Sequence, residues 1–204
     1  MAFSKEHWEN IYKTKTPQQV SWTQDVPQTS LDCFYRMELP KNATVIDVGA
    51  GESKFVDFLI QSGYYNISVL DISATALEKV KERLGENAKT VTWIASDIIE
   101  FVPEFSYSFW HDRAVFHFLT KDEEIQKYIS ITEQYIQKNG ILTIGTFSKT
   151  GPLKCSGLEI KQYDEKTLTA LFARSFEKIG CIHETHTTPF DTRQDFIFCQ
   201  FRKK

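Results

Sequence analysis

The part of this chain best suited to chemistry is Val45-Ile46-Asp47-Val48-Gly49-Ala50-Gly51-Glu52-Ser53 together with Asp71, the acid that follows Val69-Leu70. The first apolar run reads as a buried strand. The glycines read as a turn that lets backbone pass close under a ligand, and Asp71, ending a second apolar run, as a carboxylate for ribose hydroxyls. Two details narrow the ligand. Asp47 stands just before the first glycine, and Lys54 holds the place of the third glycine in G-x-G-x-x-G. A pyrophosphate wants bare amide groups and no carboxylate beside them. A ligand with a free amine tolerates Asp47 well, since opposite charges at short range attract. The pattern therefore points away from a nicotinamide dinucleotide and toward a cationic nucleoside.

A second group lies further along. Trp110-His111-Asp112-Arg113, with His117 beyond it, places titratable groups and fixed donors at the end of one apolar segment. A general base there needs only hydrogen-bond reach of a nucleophile. The plainer alternative is an Asp112–Arg113 pair that orders the loop, with His117 packed in the core. Ser96-Asp97-Ile98 ends another segment, where Asp97 serves either a ligand or a turn.

The elements that must position these residues alternate. Ser4 can cap a first helix with Trp8, Ile11 and Tyr12 on one face, ended by Pro17, and Pro27 suits the start of a second with Leu31, Phe34 and Tyr35. Strands are expected at 44–48, 67–70, 91–95, 107–111 and 141–146. Helices between them carry Phe55, Leu59 and Ile60, then Leu77, Val80 and Leu84 behind a Ser73 cap. A Thr120/Glu123 capping box then opens a helix that buries Ile125, Tyr128, Ile129 and Ile136. A loop over 148–160 precedes a helix near 164–176, and strands at 177–185 and 195–202 form a terminal hairpin. Strands alternating with helices predict an α/β fold with a mostly parallel sheet covered on both faces.

With 204 residues and 41% apolar content the chain has material for one sizeable core, read as a single domain over 1–204 with an N-terminal helical lid at 1–41 and a core at 42–204. The polar N-terminal segment has no secretory apolar region and no run approaches membrane-spanning length, so a cytoplasmic protein is expected. A net charge of −3 with interspersed signs offers no stripe to nucleic acid. The four cysteines, Cys33, Cys155, Cys181 and Cys199, form no C-x-x-C pair and are expected as reduced thiols without structural zinc. No metal site is expected.

The ordered set from Asp47 through Gly49 and Gly51 to Asp71 and Asp97 resembles class I methyltransferases that use S-adenosylmethionine, with Ser53 in place of the last glycine of the usual pattern. The resemblance covers roughly Asn42 onward. It implies a Rossmann-like seven-stranded sheet and a cofactor site of Trp22, Asp47, Gly49, Ala50, Gly51, Asp71, Ile72, Asp97, Ile98 and His111. Asp47 would sit near the methionine amino end, Asp71 on the ribose, Asp97 on the adenine amine and Ile98 on its ring. S-adenosylhomocysteine would be the product, and His111, Asp112, Arg113 and His117 would stand nearest the transferred methyl group. No Asn/Asp-Pro-Pro-aromatic box follows the fourth strand, which counts against methylation of nucleobase or glutamine amines. Trp8 to Tyr12 with Val20-Ser21-Trp22 is similar to the entry segment of methyltransferase-like protein lysine methyltransferases. The stretch from Phe109 to Arg113, with Gly151-Pro152-Leu153 and 168–172, is similar in layout to thiopurine S-methyltransferase and related enzymes of soft nucleophiles. A small-molecule acceptor is favoured over a protein lysine, and a non-catalytic S-adenosylmethionine-binding module is the reading from another class. Oligomeric state is left open.

Overall fold

The computed structural model describes residues 5–204; the proposed Ser4 cap lies outside them. In chain order the elements are α1 (Lys5–Thr14), α2 (Gln28–Tyr35), β1 (Val45–Val48), α3 (Phe55–Gln61), β2 (Ile67–Asp71), α4 (Ala74–Leu84), β3 (Val91–Ala95), β4 (Tyr107–Arg113), α5 (Asp122–Tyr135), β5 (Ile136–Phe147), β6 (Lys154–Cys155), β7 (Leu158–Glu159), α6 (Glu165–Phe172), β8 (Phe176–Thr187) and β9 (Arg193–Lys203).

Seven strands form one sheet in the order β3-β2-β1-β4-β5-β9-β8. The first five are parallel, and β9 runs antiparallel to both β5 and β8. The expected sheet of the Rossmann-like methyltransferase arrangement is therefore observed. The chain leaves β1 toward β2 on one side and returns to β4 on the other, so a crevice opens at the carboxyl ends of β1 and β4.

Strand alternation decides what the crevice contains. Val45 and Phe109 point into an apolar layer shared with Leu31, Phe34, Phe55 and Leu59 of α2 and α3. Ile46, Val48 and Trp110 point to the opposite layer, filled by Ile125, Tyr128 and Ile129 of α5 and by Leu168 and Phe172 of α6. With a period of two, Asp47 and His111 share the α2 side of the sheet and are register partners, while Asp112 lies on the α5 side.

Three local expectations change. Helix α5 opens at Asp122, where Glu124 Oε2 accepts from the Lys121 amide, so the capping pair is one residue later than Thr120/Glu123. Ile136 leaves that helix and begins β5, paired with Tyr107 of β4. Cys181 and Cys199 are register partners in the β8–β9 hairpin and are joined by a disulfide, with Cα atoms 4.2 Å apart. Eighteen residues separate them in sequence, and only the strand pairing brings them face to face. Cys33 and Cys155 remain thiols.

Candidate active site

A cavity of about 380 Å³ opens over the carboxyl ends of β1, β2, β3 and β4, roofed by α1 and the segment 15–27. Its two ends are built differently.

At the β1–β3 end backbone geometry dominates. Gly49 and Gly51 both have positive φ, +62° and +53°, a region where side chains are strained. A Cβ on Gly51 would stand 2.2 Å from the Tyr12 hydroxyl, and one on Gly49 1.8 Å from a Val115 methyl. The amides of Gly49 and Ala50 both donate to the Leu70 carbonyl, at 2.7 and 3.1 Å, which folds the turn back over β2. Asp71 ties the loops after β1 and β2 together. Its Oδ2 accepts from the Gly51 amide at 2.7 Å and its Oδ1 from the Ser73 amide at 2.8 Å. Burial pushes the Asp71 carboxyl up to about 6, against the pull of those two amides; the charges of Asp47 and Glu9 push the same way. Ile72, Asp97 and Ile98 line the same end. Asp97 accepts from the Ile99 amide at 3.1 Å, and burial raises its carboxyl.

Asp47 and His111 sit in the middle. His111 Nδ1 is 2.7 Å from Asp47 Oδ1, and its Nε2 is 2.9 Å from the hydroxyl of Ser30 on α2. The imidazole stacks on Phe55, ring centroids 4.3 Å apart. Asp47 Oδ2 is buried and has no hydrogen-bond partner in the protein.

The other end is made by side chains from distant strands. Arg113 donates from Nη1 to the Trp22 carbonyl at 3.0 Å and lies over the Phe196 ring at 5.0 Å. Burial lowers its affinity for its proton, while Glu184, first among the charges, acts in the opposite sense. Gln24 donates to Glu184 at 2.8 Å, His186 Nε2 meets the Ser21 carbonyl at 2.8 Å, and Gln194 donates to the Ser21 hydroxyl at 3.2 Å. Residues 21–24 thus form a strap clipped to β4, β8 and β9. Cys155 of β6 lines this end; burial pushes its thiol up to about 12, with the Arg113 cation as the opposing influence. Trp22 packs edge-on against Trp8 and Tyr12, and Trp8 against Phe118.

The sequence-derived residues divide accordingly. Trp22, Asp47, Gly49, Ala50, Asp71, Ile72, Asp97, Ile98, His111 and Arg113 all line the cavity, with Gly51 in the turn beneath Tyr12. Asp112 and His117 do not line it. Asp112 Oδ1 accepts from the Val115 and Phe116 amides at 3.0 and 3.2 Å, and its Oδ2 from Tyr128 at 2.7 Å. It caps the 115–118 turn, and burial pushes its carboxyl up to about 6. His117 is stacked on Phe147, and its Nδ1 accepts from the Phe147 amide at 3.4 Å. Burial, with the Arg113 charge, brings its imidazole down to about 3. Sequence reasoning missed Ser30, Glu184, His186 and Gln194, whose partners lie 81 to 173 residues away. It also missed Glu9, which accepts from Thr75 and, at 2.7 Å, from the Ala74 amide, pinning α1 to the start of α4. An acid facing a helix N-terminus is a recognisable device, but nothing local in sequence says which helix. Among the described residues no His/Cys/Asp/Glu group could hold a metal ion, and no helix is long and apolar enough to cross a membrane.

The site fits a nucleoside ligand bearing an ammonium group. A Cβ at Gly49 or Gly51 would collide with Val115 or Tyr12, so the turn at the cavity edge needs glycine, and Asp47 presents a buried, unpartnered acceptor.

Comparison with known proteins agrees with this geometry. A family model described as a methyltransferase domain matches residues 45–140. No curated protein sequence matches the chain. Among solved structures, one reported for conversion of a disulfide bond into a thioacetal group during echinomycin biosynthesis superposes with a TM-score of 0.79 at 15% identity, covering 98% of this chain and 93% of the other. The N-methyltransferase NodS of Bradyrhizobium japonicum WM9, in complex with S-adenosylhomocysteine, gives 0.74 at 14% identity over 97% and 98%. The 1,6-didemethyltoxoflavin-N1-methyltransferase of Burkholderia thailandensis, with its acceptor and S-adenosylhomocysteine bound, gives 0.68 at 17% over 98% and 84%. At these identities the superpositions establish a shared fold.

Proposed function

We propose that this chain, a member of the class I S-adenosylmethionine-dependent methyltransferases, methylates a small-molecule acceptor at a soft nucleophilic atom such as a thiol sulfur. The observation that carries the acceptor size is the strap: four polar contacts hold residues 21–24 across the end of the cavity where an acceptor would sit. A polypeptide lysine needs an open groove there, whereas a small acceptor needs only to be enclosed. The 1,6-didemethyltoxoflavin-N1-methyltransferase, a structural neighbour, supports a small acceptor.

Bound S-adenosylmethionine supplies an electrophilic methyl group on a sulfonium centre. The chain's own residues hold, align and exclude water, which is the principal contribution an in-line displacement requires. Gly49 and Gly51 give the turn its positive-φ path past Val115 and Tyr12, Asp71 fixes that turn and would face the ribose, Asp97 and Ile98 would take the base, and Asp47 would take the ammonium. Trp22, Phe118 and Arg113 shape the space for the acceptor.

The acceptor's chemistry follows from what surrounds it. Cys155 stays a protonated thiol, Arg113 a cation, and His111 is committed at both nitrogens. None of these is poised to take a proton from an alkylammonium acceptor. A thiol ionises near neutral pH without such help, and the Arg113 cation favours its thiolate.

The test is turnover with methyl-labelled S-adenosylmethionine against a panel of small thiols, amines and phenols, alongside denatured and native cell lysate. Label in a small or volatile methyl thioether is the expected result. Label confined to a protein band that survives denaturation would replace this reading with the protein lysine one. Binding without turnover on any acceptor would favour a non-catalytic ligand-binding module.

A further inference from the structure

Arg113 ends β4 and lines the cavity at its acceptor end. Its guanidinium is only partly satisfied. Nη1 donates to the Trp22 carbonyl at 3.0 Å, while Nε and Nη2 are buried and have no partner in the protein. The Phe196 ring, 5.0 Å away, gives the cation a π face but no acceptor in the guanidinium plane. No carboxylate touches it. Glu184, the acid that most favours its charge, accepts from Gln24 and leaves its second oxygen unpartnered.

The other cations of the cavity wall are placed differently. Lys54, Lys79 and Arg83 are each paired with an acid, Asp25, Glu52 and Asp57, and Lys15 is exposed. Arg113 therefore stands apart as a desolvated cation whose counterion the protein does not supply. Such a charge is costly, and a ligand anion removes the cost. The shape of the vacancy selects the anion. Nε and Nη2 share one edge of the guanidinium plane, the fork that matches the two oxygens of a carboxylate. One unpaired cation also suits a single negative charge better than a phosphate dianion.

We propose that the methyl acceptor is a small thiol that also carries a carboxylate, gripped through that carboxylate by the Nε–Nη2 edge of Arg113. The proposal rests on the reading that a soft nucleophile receives the methyl group. With the strap down the edge is closed to water. The carboxylate thus enters with residues 21–24 raised and is enclosed as the Trp22 carbonyl returns to Nη1. The acceptor thiol loses its proton to solvent, and its sulfur bonds the methyl carbon as the carbon's bond to the donor sulfur breaks. That bond pair stays with the donor sulfur, and the carboxylate is unchanged. Pairing at Arg113 also relieves the repulsion between the carboxylate and the forming thiolate. Arg113 is a specificity-determining residue that touches the acceptor away from its reacting atom.

The experiment sets two acids, 3-mercaptopropionate and 2-mercaptobenzoate, against their primary amides, which keep the thiol and the size but not the charge. Methyl transfer from labelled S-adenosylmethionine gives kcat/KM for each. Calorimetry on the intact protein saturated with S-adenosylhomocysteine gives each affinity. We expect the better-fitting acid to exceed its amide by about 10- to 100-fold in both measurements, as charge-assisted hydrogen bonds would give. In Arg113→Gln the preference should shrink to about threefold or less, with Arg113→Lys in between, since lysine keeps the charge without the fork. A guanidinium that only tied down the strap would, on removal, weaken acid and amide alike and leave their ratio unmoved. Glu184→Gln keeps an acceptor for Gln24 and removes the negative charge that competes for Arg113, so the acid should gain about twofold or more over the amide.

Equal treatment of acid and amide by the parent would overturn the proposal. So would a preference that survives intact in Arg113→Gln, or failure of both acids to bind the loaded protein. Acids that bind in an Arg113-dependent way but are never methylated would uphold the carboxylate site and remove the thiol reading instead.

Discussion

The β1–β3 end of the cavity is built on backbone: a turn with two positive-φ glycines, a carbonyl of β2 and two amides gathered by one carboxylate. The β4–β9 end is built from side chains, Arg113, Cys155 and the strap contacts to Glu184, His186 and Gln194. The first surface tolerates almost no substitution, because backbone cannot move aside without undoing the turn. The second can be altered one contact at a time. A protein divided in this way can keep its cofactor while changing its acceptor, which is why a shared fold says little about the acceptor.

The sharpest way to break that contrast is to put a side chain into the backbone end. Gly51→Val must place a branched residue at φ +53° with its Cβ against the Tyr12 hydroxyl. We expect no detectable binding of S-adenosylhomocysteine by calorimetry, in a protein whose circular dichroism still shows a folded α/β domain. Measurable affinity within tenfold of the parent would mean that the glycine turn is not under the ligand.

Asp71→Ala comes next. It removes the acceptor for the Gly51 and Ser73 amides as well as a candidate ribose contact, so the turn and the α4 cap loosen together. We expect affinity for S-adenosylhomocysteine to fall about 100-fold or more, close to 3 kcal/mol. Asp71→Asn should recover part of it, since the amide oxygen can satisfy one of the two amides. If alanine and asparagine weaken binding equally, the carboxylate's charge matters more than its grip on the loops.

How much of this was legible in the sequence follows the same division. Asp47, the glycines, Asp71 and Asp97 sit within short strand–turn–helix units, so chain order alone places them at one sheet edge. The strand alternation that pairs Asp47 with His111 was also implicit, since both are internal positions of strands that the connectivity makes neighbours. Asp112 and His117 illustrate the limit. Their types and position suggested chemistry, but alternation turns Asp112 to the α5 side, and the 115–118 turn it caps carries His117 onto Phe147. Ser30 carries no motif; a serine within a helix gains meaning only from the histidine it meets 81 residues later. The Cys181–Cys199 bond depends on hairpin register, which spacing does not fix.

Arg113→Lys tests the side-chain end. Lysine keeps the charge but loses the flat stack on Phe196 and the fixed reach to the Trp22 carbonyl. We expect kcat/KM for the acceptor to fall about 10- to 30-fold, roughly 1.4 to 2 kcal/mol, while affinity for S-adenosylhomocysteine changes less than threefold. A comparable loss in both measurements would show that the strap supports the cofactor as much as the acceptor, and the two ends would no longer be separable.

The smallest expected effect sharpens the comparison by pH. Asp71 and Asp112 have carboxyls raised to about 6, so their native environments favour the protonated form, and the stability this contributes is present at low pH and lost as pH rises through that value. His117 has the opposite sign. Its imidazole is lowered to about 3 in the fold, against about 6.5 in an unfolded chain, so the unfolded state binds more protons between those values. The stability that its neutral ring contributes is present above about 6.5 and lost as pH falls toward 3. In the parent the two tendencies oppose each other between roughly pH 4 and 6. His117→Asn removes the histidine's share along with its stack on Phe147. We expect the variant to melt several degrees below the parent at pH 7.5, and the gap to narrow by about 2 to 4 °C for each kcal/mol of acid penalty the parent suffers as pH falls to 4.5. A gap that stays constant or widens on acidification would mean that His117 is reached by water in the folded protein. It would then belong with the residues facing the acceptor, not with the packing beneath them.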